Sequence, residues 1–359
     1  MIPYFLLVGI PVLLSLNIKK YRITLNGKSL FETQTASIDV FMMILLCMLA
    51  LRGVRCGSDT RAYLRTFMEC TSIGYTDVFN IYDYEYAYKL LNKLVDSFGG
   101  GYQMLLAVTS LISVVPLWLF YKKESENQLL TVALFVSVAP FMMYFSGIRQ
   151  AIAMAFGIPA LYAAKDKKPI VFIIWILLAM QFHNSAFILF PMYPLYHARI
   201  TKNWLWFVVP CVLVIYVFRS AIFSFALTFL WEEYNTTPET GATTVLTLLI
   251  LFGLYSYFIV DEQKMDKDTI GLRNLLLLSI VLQIFALLHP LSMRMNYYYL
   301  LFVPVLIPKI AARARIRFAK IVKLSTSIMI VYFLYYFINK VVNDIDSLNI
   351  FPYIPFWAN

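Results

Sequence analysis

The sequence predicts an all-α polytopic membrane protein of about 12 transmembrane helices. Of its 359 residues, 61% are apolar and 14% are charged, whereas a soluble domain is typically about half apolar and a quarter charged. Apolar runs of membrane-spanning length recur along the chain, and basic residues fall in alternate loops between them. A soluble core cannot absorb this apolar excess, so we expect a single integral membrane domain over residues 1–359.

Each predicted span is an apolar run close to the length that crosses a bilayer, with shorter runs allowed where neighbouring helices shield a break. The first run is followed by Lys19 and Lys20 but is not preceded by basic residues, which predicts a retained span and no cleaved signal peptide. The predicted spans are 2–18, 38–51, 102–121, 129–147, 150–164, 169–182, 185–197, 204–218, 243–260, 272–289, 296–308 and 324–341.

The segment 169–197 is barely long enough for two spans. A single crossing there would move every later loop to the opposite side, including the dense basic cluster at 309–323. We therefore expect a pair of short or broken helices that meet at His183. Pro191 and Pro194 fit a second half that is broken.

The alternating charge sets the orientation. Twenty of the 30 basic residues lie in one set of alternate loops, which the positive-inside rule assigns to the cytoplasm. Both termini and the long segments 52–101 and 219–242 are then outside, and we expect 52–101 to form one or two helices lying along the membrane. The net charge of +10 therefore indicates anionic lipid headgroups as partners and gives no indication of nucleic-acid binding.

The four cysteines show no metal-ligand spacing. Cys56 and Cys70 share an outer segment and could form a disulfide, but two unlinked thiols are the simpler expectation because connectivity cannot be deduced from sequence.

Arg149 is the most informative position, because it lies between two apolar runs on the predicted outer side. Such an arginine either snorkels and caps a helix pair or meets an anionic ligand, and membrane-edge ionisable residues are commonly functional. Gly147 and Gln150 beside it allow a polar, closely packed site. Arg52, Arg55 and Arg294 lie on the same side, and a guanidinium suits phosphate because it donates two parallel hydrogen bonds.

His183 stands at the predicted break between short helices. There it could act as a base or donate to an anion, or it could be a helix-end histidine satisfied by backbone carbonyls. His289, which precedes Pro290, has the same ambiguity.

Each of the acidic candidates also has two interpretations, one functional and one structural. Asp59 could orient a sugar hydroxyl or pair with an arginine, or it could be the N-cap of the next helix. Asp83 and Glu85 form an acid-x-acid pair of the kind that binds a divalent metal in some glycosyltransferases, or they begin a hydrated helix. Glu232 and Glu233 are candidate bases or solvated side chains, and Tyr297 to Tyr299 fit an interfacial aromatic belt.

Four motifs, taken together and in this order, resemble the EpsG family of Wzy-type bacterial polysaccharide polymerases. The first runs from Arg52 through Gly57-Ser58-Asp59-Thr60 to Tyr63, with Ser58 where the family usually has threonine. The second is Glu85-Tyr86-Ala87-Tyr88, with Ala87 where glycine is usual. The third and fourth are Ser146-Gly147-Ile148-Arg149-Gln150 and Phe182-His183-Asn184-Ser185-Ala186.

The resemblance implies a GT-C-like membrane glycosyltransferase that makes O-antigen, capsule or exopolysaccharide. It would join repeat units carried on undecaprenyl pyrophosphate, at the outer face of the cytoplasmic membrane. We expect catalytic roles for Arg149, His183 and Asp59. We expect substrate-binding roles for Arg52, Arg55, Gln150, Arg294 and Glu85. The resemblance implies neither metal nor cofactor, and it implies a flippase and a chain-length regulator of the same pathway as partners.

Three alternatives use similar parts. A flippase or exporter of lipid-linked oligosaccharides suits 12 spans, although polar residues near the midplane and repeated halves are not evident. A membrane O-acyltransferase would also use histidine and arginine, but it needs a cytoplasmic acyl donor. A glycan ligase shares the donor chemistry, and the sequence separates it poorly from a polymerase.

Overall fold

A computed structural model of the chain describes residues 1–16, 22–25, 28–32, 36–81, 84–138, 140–230 and 241–358. Helices dominate these residues. The helices in chain order are α1 Ile2–Leu16, α2 Ala36–Leu51, α3 Thr60–Ser72, α4 Tyr86–Ser97, α5 Tyr102–Glu124, α6 Gln128–Ser137, α7 Met143–Ser146, α8 Ile148–Lys165, α9 Pro169–Met180, α10 Met192–His197, α11 Leu205–Leu230, α12 Ala242–Phe258, α13 Lys267–Ala286, α14 Pro290–Leu300, α15 Val303–Ala312 and α16 Ala319–Val342.

The one addition to the predicted all-α fold, within the described residues, is a small antiparallel hairpin of β1 (Arg22–Leu25) and β2 (Lys28–Glu32) between α1 and α2. No sequence expectation covered it.

Four helices in the described part of the chain are long and apolar enough to cross a membrane: Tyr102–Glu124, Lys202–Ala226, Lys267–Ala286 and Ile316–Val342. Helices α14 and α15, which are bent by 47° relative to each other, could together form one further span and bring the number to five. Shorter apolar helices lie at several of the other predicted spans, such as Ile2–Leu16 and Ala36–Leu51. The chain is therefore a multi-pass membrane protein, and the number of about 12 spans remains a prediction.

Prolines set several helix boundaries. Pro169 and Pro290 occupy the first turns of α9 and α14, where a missing N–H costs nothing. Pro140 lies in the irregular stretch between α6 and α7, so the predicted span 129–147 is interrupted and not continuous. The predicted break at His183 is confirmed, because α9 ends at Met180 and a 3-10 turn, Asn184–Leu189, precedes the short α10.

The core lies where α6, α8, α13 and α15 pack, and their side chains are buried almost all round. By contrast, α11 is peripheral, with exposed apolar side chains such as Trp206, Phe207 and Val217. Such an apolar exterior is the surface expected of helices that face lipid.

Two sequence expectations are wrong here. The predicted outer loop 219–242 is helical up to Leu230, because the apolar run of α11 continues past Arg219. Its acidic pair, Glu232 and Glu233, lies outside the described residues. Tyr298 and Tyr299 are 1% exposed and belong to the core and not to an aromatic belt, since their hydroxyls find internal partners, Ser185 and the Ile188 carbonyl.

The polar loops gather at two ends of the helix bundle. At one end, ion pairs join loops that the sequence groups together: Lys122 with Asp39, Lys309 with Glu124, Lys165 with Asp268, and Arg313 with Asp266 and Glu126. At the other end, the C-terminal segment contacts the loop after α2, and Glu85 contacts the starts of two other elements. Which side of the membrane each end faces remains a prediction.

The long segment 52–101 contains two helices, α3 and α4, and its position outside the membrane with helices lying along the surface remains a prediction. Cys56 and Cys70 are both buried and unlinked.

Candidate active site

Arg149 lies in the first turn of α8, directly after the junction at Gly147 that separates α7 from α8. The positive end of the helix dipole disfavours a cation at this position by up to about 1 kcal/mol. A partner with negative charge is therefore needed nearby, since only 18% of the Arg149 side chain is exposed.

Glu85 supplies that charge. It occupies the N-cap position of α4, but its carboxylate makes no capping bond to its own helix. Its Oε2 instead pairs with Nη1 of Arg149, while its Oε1 lies 3.2 Å from Nδ1 of His183 and accepts from the backbone N–H of Asn184 at 3.0 Å. The carboxylate thus joins three elements that are far apart in sequence, and only 9% of its side chain is exposed.

The end of α9 packs against the start of α4, and this contact positions His183. The backbone N–H of Ala87 donates to the Gln181 carbonyl at 3.1 Å, which ties the start of α4 to the turn after α9. Phe182 stacks on Phe156 of α8, with ring centroids 5.5 Å apart. His183 has extended backbone and begins the 3-10 turn that follows. These contacts orient the imidazole toward Glu85.

The electrostatics of this cluster keep Glu85 ionised. Burial alone would raise the pKa of Glu85, but the hydrogen bond from His183, the charge of Arg149 and the N–H of Asn184 together lower it to about 2. Glu85 is therefore a carboxylate at neutral pH and cannot act as a proton donor. Together with Arg149 and His183 it forms what we call the Arg–Glu–His cluster.

Tyrosine rings surround the guanidinium. Cζ of Arg149 lies 4.2 Å from the centroid of the Tyr84 ring and 6.0 Å from that of Tyr63, within the range of cation–π attraction. Burial raises the pKa of Tyr63 to about 12 although the charge of Arg149 opposes the shift, so the phenol stays neutral beside the guanidinium. The arginine is thereby held in place from two sides.

Asp59 lies beside this cluster and does not contact it directly. It stands at the N-cap position of α3 without making a side-chain capping bond. Its Oδ1 accepts from the Ser58 hydroxyl at 3.0 Å, and Ser58 Oγ lies 2.7 Å from Oγ of Ser146, three residues before Arg149. The loop that carries Asp59 is thus docked onto the segment that carries Arg149.

Gln150 and Arg294 connect α8 with α14. Gln150 is 1% exposed, and its Nε2 donates to the Arg294 carbonyl at 2.5 Å. The side chain of Arg294 is exposed and makes no hydrogen bond or ion pair with another described residue. It lies one helical turn before Tyr298, whose hydroxyl is 3.1 Å from Oγ of Ser185.

Arg52 and Arg55 differ from each other. Arg52 is 1% exposed, and its Nη1 donates to the Leu49 carbonyl at 2.6 Å, so it closes the end of α2 and makes no hydrogen bond to the Arg–Glu–His cluster. Arg55 is exposed, and its side chain makes no hydrogen bond or ion pair with another described residue. Asp83, the other half of the acidic pair, lies outside the described residues.

Sequence reasoning missed several groups around the cluster: the side chains of Tyr63, Tyr84, Ser146 and Tyr298, and the backbone N–H of Asn184. The strongest available signal was their position, since four of the five lie within or next to the four motifs.

The geometry provides a base beside a cation. If Nδ1 of His183 donates to Glu85, Nε2 carries the lone pair and can accept a proton, and the carboxylate stabilises the imidazolium that forms. The Arg149 guanidinium retains donor capacity beyond its bond to Glu85, which suits a developing anion.

Comparison with known proteins places this arrangement in a family. A model of the EpsG family matches residues 37–354, which is nearly the whole chain and includes every residue of the Arg–Glu–His cluster. No curated protein and no solved structure matches. EpsG is a family of Wzy-type polysaccharide polymerases, which are glycosyltransferase-type enzymes. The chain therefore belongs to the EpsG family and is a multi-pass membrane polysaccharide polymerase.

Proposed function

We propose that the protein joins oligosaccharide repeat units carried on undecaprenyl pyrophosphate, at the outer face of the cytoplasmic membrane. The observation that carries the proposal is the Arg–Glu–His cluster, in which a partly exposed arginine and a histidine share one carboxylate. Such a cluster combines a proton acceptor with a cation, and a transfer from a diphosphate donor needs both.

The sidedness rests on the opposite end of the bundle. The basic residues Lys309, Arg313 and Lys165 lie in ion pairs there, away from the Arg–Glu–His cluster. Since lysine and arginine are retained on the cytoplasmic side, the end that carries the cluster faces outward.

In the proposed reaction, a hydroxyl of the acceptor repeat unit attacks the anomeric carbon of the growing glycan. The hydroxyl proton passes to Nε2 of His183, and a new glycosidic C–O bond forms. The bond between the anomeric carbon and the diphosphate oxygen breaks, and its electron pair leaves with undecaprenyl pyrophosphate. Arg149 stabilises the charge that develops on that diphosphate, an electrostatic contribution that is commonly the largest in such transfers.

The other candidates assist this step. Arg294 and Arg55 are exposed arginines without a partner in the described chain, so each can bind a phosphate oxygen. Asp59 positions a sugar hydroxyl next to the cluster, and Arg52 and Gln150 hold α2 and α8 in place. A flippase that delivers the repeat units and a regulator of chain length are the proposed protein partners.

The test is the length distribution of lipid-linked surface glycan in a strain that lacks the gene. The strain is complemented with wild type, Arg149→Ala, His183→Ala or Arg65→Ala, at equal membrane abundance. Arg65 is the matched control, because it is an exposed arginine of α3 whose side chain makes no hydrogen bond or ion pair with another described residue.

We expect single repeat units on the outer surface without the gene, and long chains with wild type and Arg65→Ala only. Wild-type chain length in the Arg149→Ala and His183→Ala strains would refute the assigned roles. Repeat units trapped on the cytoplasmic side in the deletion strain would instead indicate a flippase.

A further inference from the structure

A pocket of about 660 Å³ lies against the Arg–Glu–His cluster. Three segments form its walls: the 3-10 turn Val78–Asn80 with Ile81, the start of α4, and the turn at the end of α9. Glu85 forms part of the wall, and its carboxylate also contacts Arg149 and His183, which do not line the pocket. A volume of this size is typical of small-molecule sites.

Two adjacent aromatic rings at this pocket are exposed. Phe79 is 43% exposed and Tyr86 is 58% exposed, and their ring centroids lie 5.9 Å apart at 53°. Aromatic rings that adjoin a pocket offer apolar area to a ligand. The C–H faces of a pyranose ring pack on such rings through dispersion and burial of apolar area.

Amide side chains line the same pocket. Those of Gln181 and Asn184 are exposed and make no hydrogen bond to another described residue, while their backbone groups are engaged by Ala87 and Glu85. Asn80, at the opposite wall, is likewise exposed. Each amide offers two donors and one acceptor oxygen, which matches the mixed donor and acceptor character of sugar hydroxyls.

Lys89 makes the pocket a poor site for a diphosphate. It is 3% exposed, and its Nζ already donates to the carbonyls of Phe79 at 3.2 Å and Ile81 at 2.6 Å. It also lies 4.8 Å from the centroid of the Tyr86 ring, so it fixes the aromatic wall in place. No arginine lines the described part of the pocket, and the charge of Glu85 is already taken by Arg149.

We propose that this pocket binds a sugar ring of the acceptor saccharide, stacked on Phe79 and Tyr86 and hydrogen-bonded by Gln181 and Asn184. The assignment to the acceptor rests on the proposed function. The pocket shares Glu85 with the His183 imidazole, the proposed proton acceptor, so a saccharide held here by one ring extends past that carboxylate toward the imidazole. The diphosphate of the donor then lies on the Arg149 side of the same carboxylate.

The experiment measures binding to the full-length protein in detergent by equilibrium dialysis. The probe is the radiolabelled repeat-unit oligosaccharide, released from its lipid by mild acid so that it carries neither lipid nor phosphate. The variants are Gln181→Ala and Tyr86→Leu, with Gln263→Ala as the matched control. Gln263 is an exposed glutamine in the turn between α12 and α13, near the opposite end of the bundle.

We expect the dissociation constant of the oligosaccharide to rise about 10-fold or more in Gln181→Ala and Tyr86→Leu, which corresponds to the loss of one or two hydrogen bonds or of one stacking surface. Gln263→Ala binds as wild type. Inorganic pyrophosphate does not displace the probe, and the melting temperatures stay equal because both substituted side chains are exposed.

Unchanged oligosaccharide affinity in both variants would overturn the proposal that this pocket binds a sugar. Displacement of the probe by pyrophosphate would overturn it as well. The proposed function fails separately. If wild-type protein elongates no lipid-linked glycan but binds the oligosaccharide in a manner that depends on Gln181, the pocket stands and the polymerisation step does not.

Discussion

Glu85 and Arg149 are 64 positions apart in the chain, and their side chains form an ion pair that is 9% and 18% exposed. Glu85 also holds His183, 98 positions away, at 3.2 Å. One carboxylate thereby positions both the cation and the base of the proposed reaction.

The ion pair should show energetic coupling. We expect Arg149→Ala and Glu85→Ala each to lower the free energy of unfolding in mixed micelles by about 2–4 kcal/mol, because each leaves a largely buried charge without its partner. The double variant should cost less than the sum of the two. An SDS titration measures all four proteins.

The control for this cycle is Lys168 with Asp166, an ion pair whose side chains are 60% and 53% exposed. Its coupling should be close to zero because solvent screens it. Additive effects of Arg149→Ala and Glu85→Ala, within the error of the control, would contradict the pairing.

The stability of the protein should depend on the protonation of Glu85. Its folded-state pKa of about 2 lies below the ordinary value of 4.5, so its stabilising effect is present above pH 4.5 and is lost as the pH falls toward 2. The shift corresponds to about 3 kcal/mol. Wild type should therefore lose more stability between pH 6 and pH 3 than Glu85→Gln does, as measured by thermal unfolding in detergent. Parallel pH profiles of the two proteins would refute this role.

Gly57 should tolerate no larger side chain. Its φ is +109°, and a Cβ there would meet the Phe145 carbonyl oxygen and lie 2.6 Å from Oγ1 of Thr60. We expect Gly57→Ala to lower the melting temperature strongly and to reduce chain elongation, because the loop carries Asp59. Gly99→Ala is the control, since Gly99 also has positive φ (+75°) but open space around it, and its cost should be about 1–2 kcal/mol. Equal losses in both variants would mean that the backbone conformation alone matters.

Asp346, in the C-terminal segment, should help to position the loop that carries Asp59. Its carboxylate accepts backbone N–H groups of Leu348, Asn349, Ile350 and Phe351 at 2.6–3.0 Å. Two carbonyls of this turn, those of Asn349 and Leu348, accept hydrogen bonds from the backbone N–H groups of Gly57 and Ser58, next to Asp59.

We expect Asp346→Asn to lower the free energy of unfolding by about 2 kcal/mol, because hydrogen bonds to a charged acceptor are lost. Elongation should slow while the affinity for the free oligosaccharide stays unchanged. Asp344→Asn is the matched control, as Asp344 is exposed and its side chain makes no hydrogen bond within the described chain. A loss of oligosaccharide affinity in Asp346→Asn would show instead that the segment contributes to the sugar pocket.

The sequence predicted the helices well where hydrophobicity alone decides them. The apolar run of α5 and the break at His183 follow from length, composition and proline position. The same signal failed at α11, because the apolar residues on both sides of Arg219 outweigh a single charge and the helix continues to Leu230. It also failed at Tyr298, where neighbouring helices offer Ser185 as a partner and burial becomes favourable.

In the site, too, the sequence identified individual residues but not the contacts between them. Arg149 stood out as a cation that needs a local partner or an anionic ligand, and the sequence named Glu85 and His183 as separate candidates. No local pattern joined them. Arg52 illustrates the converse, because its position resembled that of Arg149, and only the packing of α2 against its surroundings turned it inward onto the Leu49 carbonyl.

The sequence by itself determined that this chain is a membrane protein with alternating polar loops, and its short motifs indicated the EpsG family. Those properties depend on composition and on local order, which survive without knowledge of contacts. Only the tertiary structure decided that Glu85 leaves its own helix to pair with Arg149 and His183. The physical reason is that a desolvated charge selects its partner by distance in space, and the packing of α4, α8 and α9 sets that distance.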